Sequence, residues 1–240
     1  MIKCITFDLD DTLWAVDPVI EVANERLFSW MQANAPLFVE RHSVEDIKGR
    51  LRTKVVEASP HIAHSVTQVR LAALEAGFLE AGYPKEQVVD LVEASFRVFY
   101  DARQEVSFFE HALSMVEGLK KEGYQVGAIS NGNASIYKVG LGHCMDFQLN
   151  ADEAGVEKPH PDIFEQVLAA QNLRPEQVIH IGDNPVADVQ GAAEVGMWTI
   201  WVNLKGEKWP GGPKATADVT CLSQIPAAVA SINQRRRACL

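Results

Sequence analysis

The sequence predicts an α/β fold: a doubly wound parallel sheet with an all-helical cap domain inserted after its first strand. Two patterns carry that expectation. Short apolar runs without helical period, IKCITF at 2–7, QVGAIS at 125–130, VIHIG at 178–182 and MWTIWV at 197–202, alternate with helically spaced segments. That alternation belongs to a sheet built from strand–helix–strand units. Between the first and second runs, from about residue 18 to 104, the spacing is helical throughout.

The first run is apolar and β-branched and ends abruptly in the acidic DLDD, as a strand buried on both faces does. After it, Val19, Val22, Ala23, Leu27 and Trp30 form one stripe, and Val44, Ile47, Leu51 and Val55 a second. Val66, Val69, Ala73 and Leu74 continue the series, and Val88, Leu91, Val92, Ser95, Phe96 and Phe99 end it. Ser43, three residues before Asp46, marks a helix start, and Gly82-Tyr83-Pro84 marks a boundary. The division that follows is a core domain of residues 1–16 and 106–240, with a cap of residues 17–105 able to close over a site.

A chain of 240 residues, 47% hydrophobic and 22% charged, has the material for a folded core plus a smaller companion. The net charge of −10 argues against nucleic acid as a partner, because phosphate backbones are held by clustered Lys and Arg. No apolar stretch reaches the length of a membrane span, and MIKCITFDLD places acid where a signal peptide needs apolar residues. The expected location is therefore the cytoplasm, with no membrane partner. Cys4, Cys144, Cys221 and Cys239 are widely spaced and form no CxxC pair, so they read as reduced thiols. Arg235, Arg236 and Arg237 read as a solvated tail. The sequence is equally compatible with a monomer and a homodimer.

Ligands of doubly wound sheets sit beyond the carboxyl ends of the strands, so the residues just after each run are the candidates. Asp8 and Asp10, two apart, leave the first strand on one side if the chain stays extended, with Asp11 turned away. Two carboxylates in one small space call for a divalent cation or a shared proton. Ser130, Asn131 and Gly132 follow the second run and can offer hydroxyl, amide and backbone N–H groups to an anion. Lys158 lies in EKPHP, where Pro159 discourages helix at the lysine. In GDNPVADVQGA, Asp183 follows VIHIG and Asp188 lies five residues on; Asp183 could also simply cap the helix beginning there.

In order and placement, FDLDDTLW, AISNG, EKP and GDNPVAD resemble the four motifs of the haloacid dehalogenase superfamily, and the helical insert resembles that superfamily's C1 cap. The resemblance implies a Rossmann-like core and a phosphatase in which Asp8 attacks phosphorus and becomes an aspartyl phosphate. Asp10 then protonates the leaving oxygen and activates water. It implies Mg2+ held by the Asp8 carboxylate, the Asp10 backbone carbonyl and the Asp183 side chain, with Asp188 as a further ligand or a support. Ser130 and Lys158, helped by Asn131, would hold the transferring phosphoryl group, and Thr12 would orient Asp10. Members that dehalogenate lack an acid at the position of Asp10, which favours phosphate esters of small metabolites.

A closer resemblance, in WAVDPVI, SPHIAHSVTQVR and SNGN, is to the bacterial branch with flavin mononucleotide phosphatase activity. It implies flavin mononucleotide or a riboflavin-pathway phosphate as substrate. Trp14 would then stack on a planar ring, and His61, His64 and Arg70 would meet polar parts of the leaving group. A phosphomutase shares the core motifs, and a noncatalytic phosphate- or metal-binding module would share the fold; those alternatives stay open here.

Overall fold

Strand β1 (Cys4–Phe7) lies at the centre of a parallel sheet completed by β2 (Gln125–Ser130), β3 (Phe147–Asn150), β4 (Val178–Gly182), β5 (Trp198–Val202) and β6 (Ala217–Val219), in the order β3-β2-β1-β4-β5-β6. This is a computed structural model; it describes residues 1–238 and, for 236–238, the backbone alone. Cys239 and the side chains of Arg236 and Arg237 thus lie outside the described residues. The fold is the doubly wound α/β architecture expected, and β1, β2, β4 and β5 fall on the four apolar runs. The edge strands β3 and β6 fall on no such run. FQLN is half-buried along its length and ADV ends in its only buried residue, because an edge strand has a neighbour on one side only.

The chain divides into two compact units, Met1–Ala15 with Ser107–Leu240, and Val16–Val106. In the sheet unit, Cys4, Ile129, Ile163, Phe164, Val167 and Val178 form the buried layer under the helix Pro161–Ala170. β1 has β2 on one side and β4 on the other, so the ends of these three strands meet where connections leave in opposite directions. Cys4, Cys144 and Cys221 are free thiols.

In the helical unit, Val16–Asn34, Val66–Glu80 and Lys85–Ala102 pack around Leu27, Met31, Phe38, Leu51, Leu74, Phe78 and Phe99. Of the expected stripe residues, Val22 and Val66 stand at the margins and are exposed. Ser43 and Asp46 form the reciprocal cap read from their spacing, and Ser65 caps Val66–Glu80 by accepting from Gln68 N. Gly77 is needed for close approach: a Cβ there would strike the Phe38 ring. No helix among the described residues is long and apolar enough to cross a membrane.

Candidate active site

A cavity of about 200 Å³ opens at the carboxyl end of the sheet, lined by Asp8, Asp10, Asp11, Asn131, Lys158, Asp183, Asn184, Ala187 and Asp188. Asp8 and Asp10 flank the buried Leu9 and share this space, as their spacing suggested. Asp11 does not turn away. Its φ of 58° lies in the left-handed region that Asp tolerates, and the tight turn of Leu9–Leu13 carries it to the same cavity.

Lys158 sits at the middle of the charges. Its Nζ donates to Asp8 Oδ1 at 2.7 Å, Asp188 Oδ1 at 2.7 Å and the Ile129 carbonyl at 2.6 Å, and only 2% of its side chain is exposed. Burial alone would lower the lysine, but Asp188 and Asp8 outweigh it and raise its pKa, keeping the charge. Burial pushes the Asp8 carboxyl well above the usual range against the pull of Lys158, and the Asp188 charge adds to that push. Asp188 is buried too, yet Lys158 and His180 hold it well below the usual carboxylate range. Asp183 is pushed up to about 6 by burial and then by the Asp188 charge.

The supporting bonds differ in four places from those read from the sequence. The Thr12 hydroxyl donates to Asp183 Oδ1 at 3.1 Å and accepts from Asp183 N at 3.0 Å, so it orients Asp183 rather than Asp10. Asn131 lines the cavity, but its amide donates to the Lys158 carbonyl and its oxygen accepts from Lys158 N, so it fixes the lysine's backbone. Ser130 lies buried behind the walls, with Oγ accepting from Gly132 N at 3.0 Å. Asn184, not Asp183, caps the turn Pro185–Gln190 by accepting from Val186 N and Ala187 N, which leaves Asp183 free for the cavity.

Trp14 corrects its expected role. The ring is fully buried, edge-on to Phe108 with centroids 5.7 Å apart, and has no open face on which a planar group could stack. Its Nε1 instead donates to Asp10 Oδ1 at 2.8 Å. In the helical unit, Arg70 lies over the Phe99 ring at 3.5 Å and donates to Asn24 Oδ1. Burial lowers its pKa to about 10. His61 sits exposed on the turn Pro60–Ile62, and His64 is half-buried just before the Ser65 cap, so the two precede the helix that carries Arg70 and do not share its face.

Oxygens of Asp8, Asp183 and Asp188 lie within 4.8 Å of one another, a cluster that could hold a metal ion. The donors are hard carboxylate oxygens, suited to Mg2+ rather than to a thiophilic metal. Both Asp188 oxygens are engaged, Oδ1 by Lys158 and Oδ2 by Asn184 N at 2.9 Å. Asp8 accepts from Lys158 at Oδ1, and Asp183 from Thr12 at Oδ1. The set therefore fits a cation held by Asp8 and Asp183, with Asp188 behind them.

The sequence model of haloacid dehalogenase-like hydrolases matches residues 2–196. The chain belongs to that family. Among similar proteins of this hydrolase family, 5-amino-6-(5-phospho-D-ribitylamino)uracil phosphatase YigB of Escherichia coli (strain K12) is 32% identical over 201 residues, 84% of this chain and 83% of that protein. Phosphoserine phosphatase of Thermus thermophilus is 29% identical over 243 residues, 90% of this chain and 94% of that one. A solved structure of a protein named 2-haloacid dehalogenase, from Pseudomonas syringae pv. Tomato DC3000, is 33% identical, with a TM-score of 0.91 over 96% of this chain and 99% of that one.

Sequence reasoning turned Asp11 away from the site and passed over Asn184 and His180. His180 carried a signal: it is a polar residue inside VIHIG, whose every position is buried. Asp11 and Asn184 stand inside FDLDDTLW and GDNPVAD, but as turn-forming residues they carried no signal of their own.

Proposed function

We propose that the chain is a Mg2+-dependent phosphatase of small-metabolite phosphomonoesters working through an aspartyl phosphate on Asp8, with a riboflavin-pathway phosphate as the favoured substrate. The observation that carries this reading is the pairing of a lysine-held carboxylate, Asp8, with a second carboxylate, Asp10, held separately by the Trp14 indole on the same cavity. Asp8 has the position of a nucleophile and Asp10 that of an acid.

Asp8 attacks phosphorus as the ester P–O bond breaks, and Asp10 gives its proton to the departing alkoxide. Asp10 then takes a proton from water, which attacks the acyl phosphate and releases inorganic phosphate and free Asp8. Lys158 draws the Asp8 carboxyl towards its anion against the push of burial and offers positive charge to the phosphoryl oxygens, while the buried Ser130 stands behind the cavity at the same strand end. Asp8 and Asp183, with the Asp10 carbonyl, would hold Mg2+, which would supply charge neutralisation at those oxygens. A general acid contributes about 10²–10⁴-fold, far short of what phosphomonoester hydrolysis demands, so nucleophile, acid, lysine and cation must act together. Hydrolysis of a carbon–halogen bond needs no proton for its halide, and the held Asp10 would have no task there. The similarity to the riboflavin-pathway phosphatase supports the substrate class.

The test is phosphate release from a panel of flavin, ribityl, nucleotide and sugar phosphates, with Mg2+ or chelator, beside halide release from 2-haloacids. Metal-dependent phosphate release that Asp8→Asn reduces by roughly 10³-fold or more is expected. Halide release without phosphate release would overturn the phosphatase reading.

A further inference from the structure

We infer that His180 is a positioning residue of the active site, fixing the Asp188 carboxylate that holds Lys158, and that Thr6 sets the tautomer in which it does so. The inference rests on the phosphatase reading for its kinetic consequence, though not for its geometry. Thr6 and His180 are register partners on the adjacent strands β1 and β4, so their side chains emerge side by side on one face of the sheet. Thr6 Oγ1 lies 2.9 Å from His180 Nδ1, and His180 Nε2 lies 3.3 Å from Asp188 Oδ1. All three side chains are buried, and the imidazole packs edge-on to Phe164 with centroids 5.3 Å apart.

The proton positions follow from chemistry. A carboxylate oxygen only accepts, so Nε2 must carry hydrogen. The buried Thr6 hydroxyl, for its part, meets Nδ1 at 2.9 Å, and pointing its hydrogen there leaves Nδ1 as the nitrogen with the lone pair. That lone pair accepts from the Thr6 hydroxyl. The result is one directed series, Thr6 O–H to His180, His180 N–H to Asp188, with Lys158 bridging Asp188 and Asp8. A buried carboxylate orients one lysine reproducibly only if its own rotation is stopped. Here His180 and Lys158 take Oδ1 while Asn184 N takes Oδ2.

Gly182 gives an independent sign that the carboxylate's place is built. A Cβ at that position would land on the Asp188 carboxylate, so the end of β4 has been left bare for it. His180 and Gly182, two apart on one strand, thus serve the same group, one by contacting it and the other by leaving it room.

Loss of such an outer partner typically costs 10–100-fold in activity or affinity. The experiment compares His180→Leu, His180→Gln and Thr6→Val with the wild type, using p-nitrophenyl phosphate and Mg2+, with melting temperature measured alongside. His180→Leu should lower kcat by roughly 10–100-fold with little change in KM. His180→Gln, whose amide can still donate towards Asp188, should recover most of that loss even if its melting temperature falls as far. Thr6→Val should fall between. Nitrogen-15 NMR of wild-type histidines, which needs no turnover, should find His180 as the neutral Nε2–H form. An Nδ1–H or doubly protonated His180, wild-type kcat in His180→Leu, or equal losses in the Leu and Gln variants would overturn the inference. A wild type inactive on every ester with the Nε2–H tautomer present would instead overturn the phosphatase reading and leave the geometric assignment standing.

Discussion

Each unit contains a charge cluster backed by a buried histidine, and the two are built in opposite senses. In the helical unit, Glu80 accepts from Lys54 at 2.6 Å and Arg50 at 3.0 Å, and Arg50 also reaches Asp46. Behind them His42 accepts from Arg50 at Nδ1 and donates to the Gly77 carbonyl from Nε2. In the sheet unit a single lysine lies between two carboxylates, with Asp10, Asp11 and Asp183 on the same cavity and His180 behind. The first cluster balances two cations against two anions, and its Lys54 and Arg50 side chains are 57% and 50% exposed. The second sets one cation, Lys158, 2% exposed, among five carboxyl groups on one cavity, Asp8, Asp10, Asp11, Asp183 and Asp188. Ion pairs and a buried histidine are therefore not what marks the site. Unbalanced charge kept away from water is, because only that arrangement lacks a cation and can use one.

Lys158→Met is the most severe way to test that contrast. It leaves Asp8 and Asp188 buried without their counter-ion, and breaking a buried pair from one side costs about 3–5 kcal/mol. A large fall in melting temperature is expected in chelator, partly restored by Mg2+, together with loss of turnover under both conditions. An unchanged melting temperature in chelator would mean that the carboxylates are not strained by their surroundings, and retained turnover would remove the lysine from the site.

Asp183 gives a graded effect that sharpens the comparison. Its folded-state pKa of about 6 lies above the ordinary carboxylate value, so between those two values the folded protein binds more protons than the unfolded chain. Its contribution to the metal-free stability accordingly declines as pH rises from about 4 to about 6. A cation binds the ionised form and must displace that proton at low pH. The rise in melting temperature produced by Mg2+ should therefore be large at pH 7.5 and shrink below about pH 6, and Asp183→Asn should abolish most of it at both. A Mg2+ effect independent of pH in this range would place the cation away from Asp183.

How much of this was legible in the sequence depended on how local each cause was. β2 and β4 coincide with the runs QVGAIS and VIHIG because buried central strands write their burial into consecutive residues. The Ser43–Asp46 cap could be read because both partners lie within one helical turn. Asp8, Ser130 and Asp183 could be named because each stands at or just after a strand end, and Lys158 from its place in EKPHP, but their partners could not. Thr12 serves Asp183 across 171 positions, and Lys158 meets Asp8 across 150. Trp14 was misjudged for the same reason: its indole is committed to Asp10 and its edge to Phe108, and spacing along the chain shows neither.

The smallest effect belongs to Glu80→Gln, the counterpart of Lys158→Met in the exposed cluster. Lys54, and Arg50 after it, hold the Glu80 carboxyl below its usual value, with partial burial opposing them. A depressed carboxyl stabilises the fold above its unfolded pKa and loses that contribution as pH falls through its folded one, so any effect of the substitution should be present at pH 7 and fade under acid. Surface pairs of this kind contribute little, and salt screens them. A slight drop in melting temperature at low ionic strength is expected, erased by about 1 M salt, with kcat and KM unchanged. Should Glu80→Gln instead unfold the protein as thoroughly as Lys158→Met, the exposed cluster would be carrying buried-pair energies. Exposure could then no longer be what separates the two clusters.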